Sequence, residues 1–218
     1  DDDDVDPKLL DDFEQGAFLW DTEGPATLDA LRLERGDPDA RPEQDQVENV
    51  GQVGPDRAAE VSAGVADLRA LLPASNWRTT RSIKTAIYRL ERALNPDNWV
   101  NGTFVAPSAG WRVFDRIQQA VEDLAKVART DSPEAADADA AIGALVSVAA
   151  GLATDAIEVA QRSGADQSGI DRALREVALA DRYAALGRDA QAVQRYGAAW
   201  ARANVLIKKL VRDGEAVS

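Results

Sequence analysis

Apolar side chains recur every three or four residues along most of the chain after residue 56, a spacing that places them on one face of an α-helix. Six separate stripes of this kind predict six helices. In chain order, the stripes are carried by Val61, Val65, Leu68 and Leu72; by Ile83, Ile87, Leu90 and Leu94; by Phe114, Ile117, Val121 and Leu124; by Ile142, Leu145, Val146, Ala149, Ala153, Ala156 and Ile157; by residues 170–186; and by Val193, Tyr196, Trp200, Ala203, Ile207 and Leu210. Each stripe must be buried against another, so we predict an all-α domain over residues 56–218, built as an antiparallel bundle or as stacked helical hairpins.

Proline and glycine mark where these helices begin and end. Pro73 ends the first helix, and Asn95-Pro96 ends the second, because a residue before proline does not fit comfortably in a helix. Ser132-Pro133 predicts the N-cap and first turn of the fourth helix, which extends for about 30 residues. Gly187 is expected to close the fifth helix in the left-handed conformation.

Residues 1–55 follow a different pattern. Their Gly-Pro, Asp-Pro and Arg-Pro pairs interrupt any helix longer than about two turns. We therefore predict an irregular N-terminal arm. Phe13, Phe18, Leu19 and Trp20 are its expected anchors, since four large apolar groups would otherwise be left in water.

A short hairpin is predicted within residues 97–106, between the second and third helices. Asn101-Gly102 is a strong signal for a type I′ turn, and β-favouring residues flank it in Trp99-Val100 and Phe104-Val105. Ser108 is the expected cap of the helix that follows. The chain thus breaks its helical pattern once, for a loop of about a dozen residues.

Three aromatic residues and one asparagine, in this loop and at the start of the next helix, are the candidate binding residues. Trp99, Asn101, Phe104 and Trp111 would either plug one end of the bundle or form a platform for a sugar ring or a partner protein. Aromatic faces beside amides such as Asn98 suit a pyranose. Both interpretations are open on the sequence alone.

The net charge of −13 is concentrated at one end of the chain. Residues 1–60 contain 19 Asp and Glu against 5 Lys and Arg, whereas residues 61–218 contain 19 against 20. A segment with a net charge of −14 is repelled by nucleic acid and by anionic lipid, so we expect no nucleic-acid partner. Arginine-rich positions of the body offer a counter-surface for the acidic arm, at Arg78, Arg81, Arg89 and Arg92.

The residue types that are missing restrict the chemistry. The chain has no cysteine, no histidine and no methionine. This removes thiolate chemistry, the commonest general base and the commonest transition-metal ligand. No nucleotide-binding glycine motif and no GxSxG occurs. An EF-hand count beginning at Asp97 fails, because Trp99 and Ser108 occupy ligand positions. We therefore expect no enzyme activity, no cofactor and no metal site, and Asp115 and Asp181 are the acids to check for burial.

The composition also suggests a compartment. The absence of both oxidisable sulfur residues, and of Met at position 1, leads us to expect an exported protein whose leader has been removed, secreted or at the cell surface. No apolar run reaches the roughly 20 residues of a membrane span, so none is predicted.

Part of the arm, within residues 9–53, resembles the opening of galactose-binding-like modules of secreted carbohydrate-active enzymes. The first matching segment covers Asp11–Gly16, and the second covers Gly36–Gln44. A complete module would need about eight strands, and this chain turns helical at residue 56. The resemblance implies an exported protein of a carbohydrate-active system.

Residues 83–127 and 183–203 resemble helical tail modules of secreted or surface multidomain proteins of bacteria and archaea. The matching positions are Leu94, Pro96, Trp99, Gly110, Val113, Phe114, Asp115, Ala120, Val121, Leu124 and the Ala199-Trp200 pair. This resemblance implies a helical fold and carries no catalytic residues. The spacing of Gly187, Ala192, Tyr196 and Ala199 is also that of a single tetratricopeptide hairpin, which favours a tight closing hairpin.

The sequence therefore predicts a non-catalytic, extracytoplasmic interaction or assembly module. Its expected partners are other copies of itself, bound through the N-terminal arm, or another surface protein. The alternative is a glycan-binding accessory component of a carbohydrate-active system, with a polysaccharide as its partner. This alternative requires an exposed aromatic surface at Trp99 and Trp111.

Overall fold

The computed structural model describes residues 55–73 and 76–215, and within these ranges it is an all-α fold of six helices. The helices are α1 Arg57–Leu71, α2 Trp77–Ala93, α3 Gly110–Ala128, α4 Ala135–Arg162, α5 Gln167–Ala185 and α6 Asp189–Glu215. A 3-10 turn at Pro96–Asn98 and a hairpin of β1 Trp99–Val100 and β2 Phe104–Val105 lie between α2 and α3. The predicted fold class is thus confirmed, while all but the last residue of the predicted arm lies outside the described residues.

Side chains just before three helices fix where those helices begin. Asp56 accepts from the Ala59 amide at 2.9 Å, and Asn76 accepts from the amides of Arg78 and Thr79 at 2.9 and 3.2 Å. The Asp166 side chain likewise accepts from the Gly169 amide at the beginning of α5. Each acceptor satisfies an amide that has no partner inside the helix.

Two predicted caps differ from the observed ones. The residue before α3 is Ala109, with no side-chain cap, although Ser108 is its neighbour. α4 begins at Ala135, two residues after Pro133, because residues 132–135 form a separate turn closed by the Ala135 amide and the Ser132 carbonyl. Gly187, by contrast, has the predicted left-handed φ of +66°.

The core lies around α4, which packs against α1, α3, α5 and α6. Small and branched apolar residues of α4 fill this centre, and all seven predicted from its stripe are buried. α6 closes on α3, where the ring of Trp200 lies directly over Gly110 and 6.0 Å from the ring of Phe114. A side chain at Gly110 would overlap that ring, so glycine permits the close approach.

Among the described helices, α4 alone is long and apolar enough to cross a membrane, by length and composition. Half of its most apolar window is buried inside the bundle. Central helices of bundles pass the same test of composition. The expectation of no membrane span stays a prediction.

Candidate functional site

The predicted hairpin forms, and it is fixed to the ends of two helices. Asn101 and Gly102 have φ of 52° and 73°, the left-handed values that a type I′ turn requires, and Trp99 pairs with Val105. The Gly102 carbonyl accepts from the Ala58 amide at 2.9 Å, in the first turn of α1. Position 102 also lies against the carboxylate of Asp56, where a side chain would not fit. The hairpin thus holds the beginning of α1.

The polar groups of Asn98 and Trp99 are used inside the protein. The Asn98 amide is buried and donates to the carbonyls of Arg92 and Ala93, both at 3.1 Å. The Trp99 indole N–H donates to the Ala93 carbonyl at 2.8 Å, and its ring packs against the core. These bonds satisfy carbonyls that the last turn of α2 leaves open. The side-chain NH₂ group of Asn98 is therefore committed to α2.

The four predicted binding residues differ in their access to solvent. Trp99 and Phe104 are half-buried, Asn101 is exposed at the hairpin tip, and the Trp111 side chain at the start of α3 is 56 % exposed. The guanidinium of Arg112 lies 5.8 Å from the centre of the Trp111 ring. Of the two indoles required by the glycan hypothesis, Trp111 is thus accessible and Trp99 partly so.

A second aromatic surface, which we call the α2 face, runs along the outer side of α2. It is an open groove between two exposed rings, Trp77 at 74 % and Tyr88 at 53 %. The groove is lined by Trp77, Thr80, Arg81, Lys84, Thr85 and Tyr88. Their spacing of three and four residues places them on one side of the helix, turned away from the buried stripe of Ile83, Ile87 and Leu90.

Positive charge surrounds both rings of the α2 face. The Arg78 guanidinium lies 5.2 Å from the centre of the Trp77 ring. That of Arg92 lies 5.7 Å from the Tyr88 ring and donates to its hydroxyl at 3.0 Å. Arg81 and Lys84 lie between the rings, and neither forms an ion pair with any residue of the described ranges. The surface thus offers two rings and four cations to a partner.

Arg89, in contrast, is turned inward. Its Nη1 lies 3.2 Å from Oδ2 of Asp123 on α3, a charge contact without a hydrogen bond, and donates to the Gln119 carbonyl at 2.8 Å. Asp123 is only 5 % exposed and also accepts from Lys126 at 2.7 Å. Arg89 therefore holds α2 to α3, and of the four predicted counter-charges only Arg78, Arg81 and Arg92 remain on the surface.

The acids marked for inspection are not the buried ones. Asp115 accepts from Gln119 at 2.8 Å and is half-buried, while Asp181 is exposed and accepts from the Tyr196 hydroxyl at 2.5 Å. Burial of its phenol, and then this bond, raise the pKa of Tyr196. Within residues 55–73 and 76–215, the buried acids are Asp123 and Glu134, which sequence reasoning missed. Among the described residues, no three His, Cys, Asp or Glu side chains converge to hold a metal ion.

The sequence did contain a signal for the α2 face. At 100° per residue, Trp77 and Tyr88 fall about 110–130° around α2 from the middle of the apolar stripe, and they are separated by three turns. Large aromatic residues out of phase with a buried stripe must be exposed if the helix packs by that stripe. The loop aromatics were predicted as binding residues because they interrupt the helical pattern, whereas Trp77 and Tyr88 lie inside a helical segment.

Comparison of the chain with protein-family models, with curated proteins and with solved structures gives no significant match. The two resemblances described above therefore stay predictions.

Proposed function

We propose that the chain is a non-catalytic, exported module that assembles with further copies of itself through the α2 face. The observation that carries the proposal is the pair of exposed rings at Trp77 and Tyr88, with unpaired cations between them. Aromatic residues and arginine are the types enriched at the centres of protein interfaces. A single helix that exposes both, on an outer face, favours a protein partner over a solvated surface.

Charge defines the kind of polypeptide that this surface would accept. α2 has five basic residues and one acidic residue, Glu91, which is bonded to Arg69. The uncompensated cations attract carboxylates, and the rings accept apolar groups between them. The expected partner surface is therefore acidic and carries large apolar side chains.

The absence of histidine and cysteine from the whole sequence supports a non-catalytic role. The same composition, without methionine, supports export, as an exposed protein is subject to sulfur oxidation. We propose no nucleic-acid partner, no cofactor and no membrane span for this module.

Sedimentation velocity of the full chain tests the proposed assembly. The weight-average mass should exceed that of one chain and rise with concentration, and Trp77→Ser with Tyr88→Ser should abolish that rise. Val205→Ser is the matched control, because Val205 is 63 % exposed on α6 and lies far from α2 in the chain. A mass of one chain at every concentration, or the same mass in the double variant, would overturn the proposal.

The glycan alternative is favoured by one observation, the exposed indole of Trp111. Ring stacking on a pyranose would protect that indole from a soluble quencher. Titration with soluble neutral polysaccharides should then reduce quenching of tryptophan fluorescence in the full chain and leave it unchanged in Trp111→Ala. Equal quenching with and without polysaccharide would remove this alternative.

A further inference from the structure

We infer that the ligand of the α2 face is the acidic aromatic segment formed by residues 9–23 of a second copy of the chain, an inference that rests on the proposed assembly through this face. The segment reads LLDDFEQGAFLWDTE. It contains five acidic residues and no basic residue, together with the rings of Phe13, Phe18 and Trp20. Its composition therefore has the two properties that the α2 face requires of a partner.

The charges on the two sides are opposite in sign and similar in number. The α2 face presents Arg78, Arg81, Lys84 and Arg92, of which Arg81 and Lys84 lie in the groove itself. The segment supplies Asp11, Asp12 and Glu14 around its first ring and Asp21 and Glu23 after its last. Carboxylates placed along this row of cations gain ion pairs that the described part of the chain does not provide. Opposite charge also speeds the encounter of two copies.

The spacing of the rings is complementary as well. Trp77 and Tyr88 are eleven residues apart on one helix, which separates them by about 16 Å along its axis. Phe13 and Phe18 are five residues apart, and five residues of extended polypeptide span about 16 Å. Gly16 lies between them, and the backbone freedom of glycine would let a bound peptide turn both rings to one side. One peptide can therefore contact both ends of the groove.

Two full-chain variants test the contribution of the α2 face and that of the segment separately. The first, the face variant, carries Trp77→Ser and Tyr88→Ser. The second, the segment variant, carries Phe13→Ser and Phe18→Ser. Each variant alone should sediment as one chain, because each lacks one half of the contact. An equimolar mixture should form a one-to-one complex, since each partner then supplies the half that the other lacks.

The outcomes separate this inference from the proposed function. If the segment variant still assembles while the face variant does not, the inference is overturned and assembly through the α2 face stands. Assembly of the face variant overturns both. Two monomeric variants that fail to form a complex on mixing also overturn the inference. Circular dichroism melting of each variant checks that the bundle is intact.

A synthetic peptide of residues 9–23 gives an independent measurement. The peptide should bind at one site to the segment variant, which keeps its α2 face. The face variant should bind the peptide at least about tenfold more weakly. A peptide with Asn or Gln in place of its five acids, and another with Ser at Phe13 and Phe18, should each also lose about tenfold. Equal affinity of the ring-less peptide, together with competition by heparin or single-stranded DNA, would identify a general polyanion site and overturn the inference.

Discussion

At the scale of single residues, glycine has opposite roles at two positions in the described helices. A Cβ added at Gly110 would lie 2.0 Å from ring atoms of Trp200, whereas one added at Gly143, on the exposed side of α4, would meet nothing within 4 Å. The first glycine is required by the packing of α6 on α3. The second only lowers the helix propensity of α4.

Substitution by alanine at these two positions should therefore change the free energy of unfolding in opposite directions. Gly110→Ala should lower it by about 1–3 kcal/mol, because the Trp200 ring must move. Gly143→Ala should raise it by about 0.5–1 kcal/mol, since alanine restricts the unfolded chain and fits the helix. Urea unfolding of both variants beside the parent chain checks the signs. An unchanged stability in Gly110→Ala would contradict the packing described for Trp200.

Asp189, the first residue of α6, makes one contribution to stability depend on pH. Partial burial raises the pKa of Asp189 from its usual 3.8, and the negative charge of Asp139 raises it further. A raised pKa means that the folded state binds this proton more tightly than the unfolded state. Stability is then lost as pH rises from the usual value through the folded one.

Asp189→Asn should accordingly be more stable than the parent chain at pH 7. The difference should vanish when both proteins are unfolded below about pH 2.5, where the parent carboxyl is protonated in both states. Asp139→Asn should give a smaller gain at pH 7, because it removes only the second cause. A lower stability of Asp189→Asn at pH 7 would show that the charge is stabilised at the beginning of α6.

At the scale of the elements, the ion pair between Arg89 and Asp123 is one of two polar contacts by which Arg89 joins α2 to α3, the other being its bond to the Gln119 carbonyl. Arg89→Leu should lower the free energy of unfolding by about 3 kcal/mol, because Asp123 would keep only the exposed Lys126 as a partner in a buried site. Arg81→Leu is the matched control on the same helix, and it should change stability by about 0.5 kcal/mol at most. Thermal unfolding of both variants measures the contrast, and equal effects would be inconsistent with an inward role for Arg89.

The elements were predictable where their signals are local. The stripe of Ile83, Ile87 and Leu90 predicts α2 and its buried side, and Asn101-Gly102 predicts the hairpin, because periodicity and turn chemistry act over a few residues. The caps were less predictable. Ser108 and Ser132 are favourable cap residues, yet the chain bends one or two residues later, and only the backbone path decides which amides are open.

The candidate binding surfaces also have features that local sequence predicts and features that it does not. The exposure of Trp77 and Tyr88 follows from their phase on α2 and was available from sequence. The inward orientation of Arg89 could not be predicted from sequence, because its partner Asp123 lies on another helix and is brought near only by tertiary packing. The commitment of Asn98 to the carbonyls of Arg92 and Ala93 likewise depends on the observed path of the turn after α2.

At the scale of the whole molecule, charge asymmetry should govern assembly. The body, from residue 61 to residue 218, has a net charge of +1, while residues 1–60 have −14. The proposed contacts between the acidic residues of one copy and the α2 face of another would lie at the surface, where salt screens charges. The dissociation constant of the assembly should rise about tenfold or more between about 0.1 M and 1 M NaCl.

Sedimentation at the two salt concentrations measures this dependence. Sodium sulfate at equal ionic strength is a useful comparison, because it screens charges while strengthening apolar contacts. If the assembly tightened in both salts, ring burial alone would hold it together, and the cations of the α2 face would have no part in it.

The bond from the Ala58 amide to the Gly102 carbonyl makes the beginning of α1 depend on a turn far along the chain. In deuterated water, the Ala58 proton should be replaced only when the hairpin detaches, so its exchange rate reports the local opening of that turn. The first turn of α1 and the hairpin should then open together as one cooperative unit, although the whole of α2 separates them in sequence.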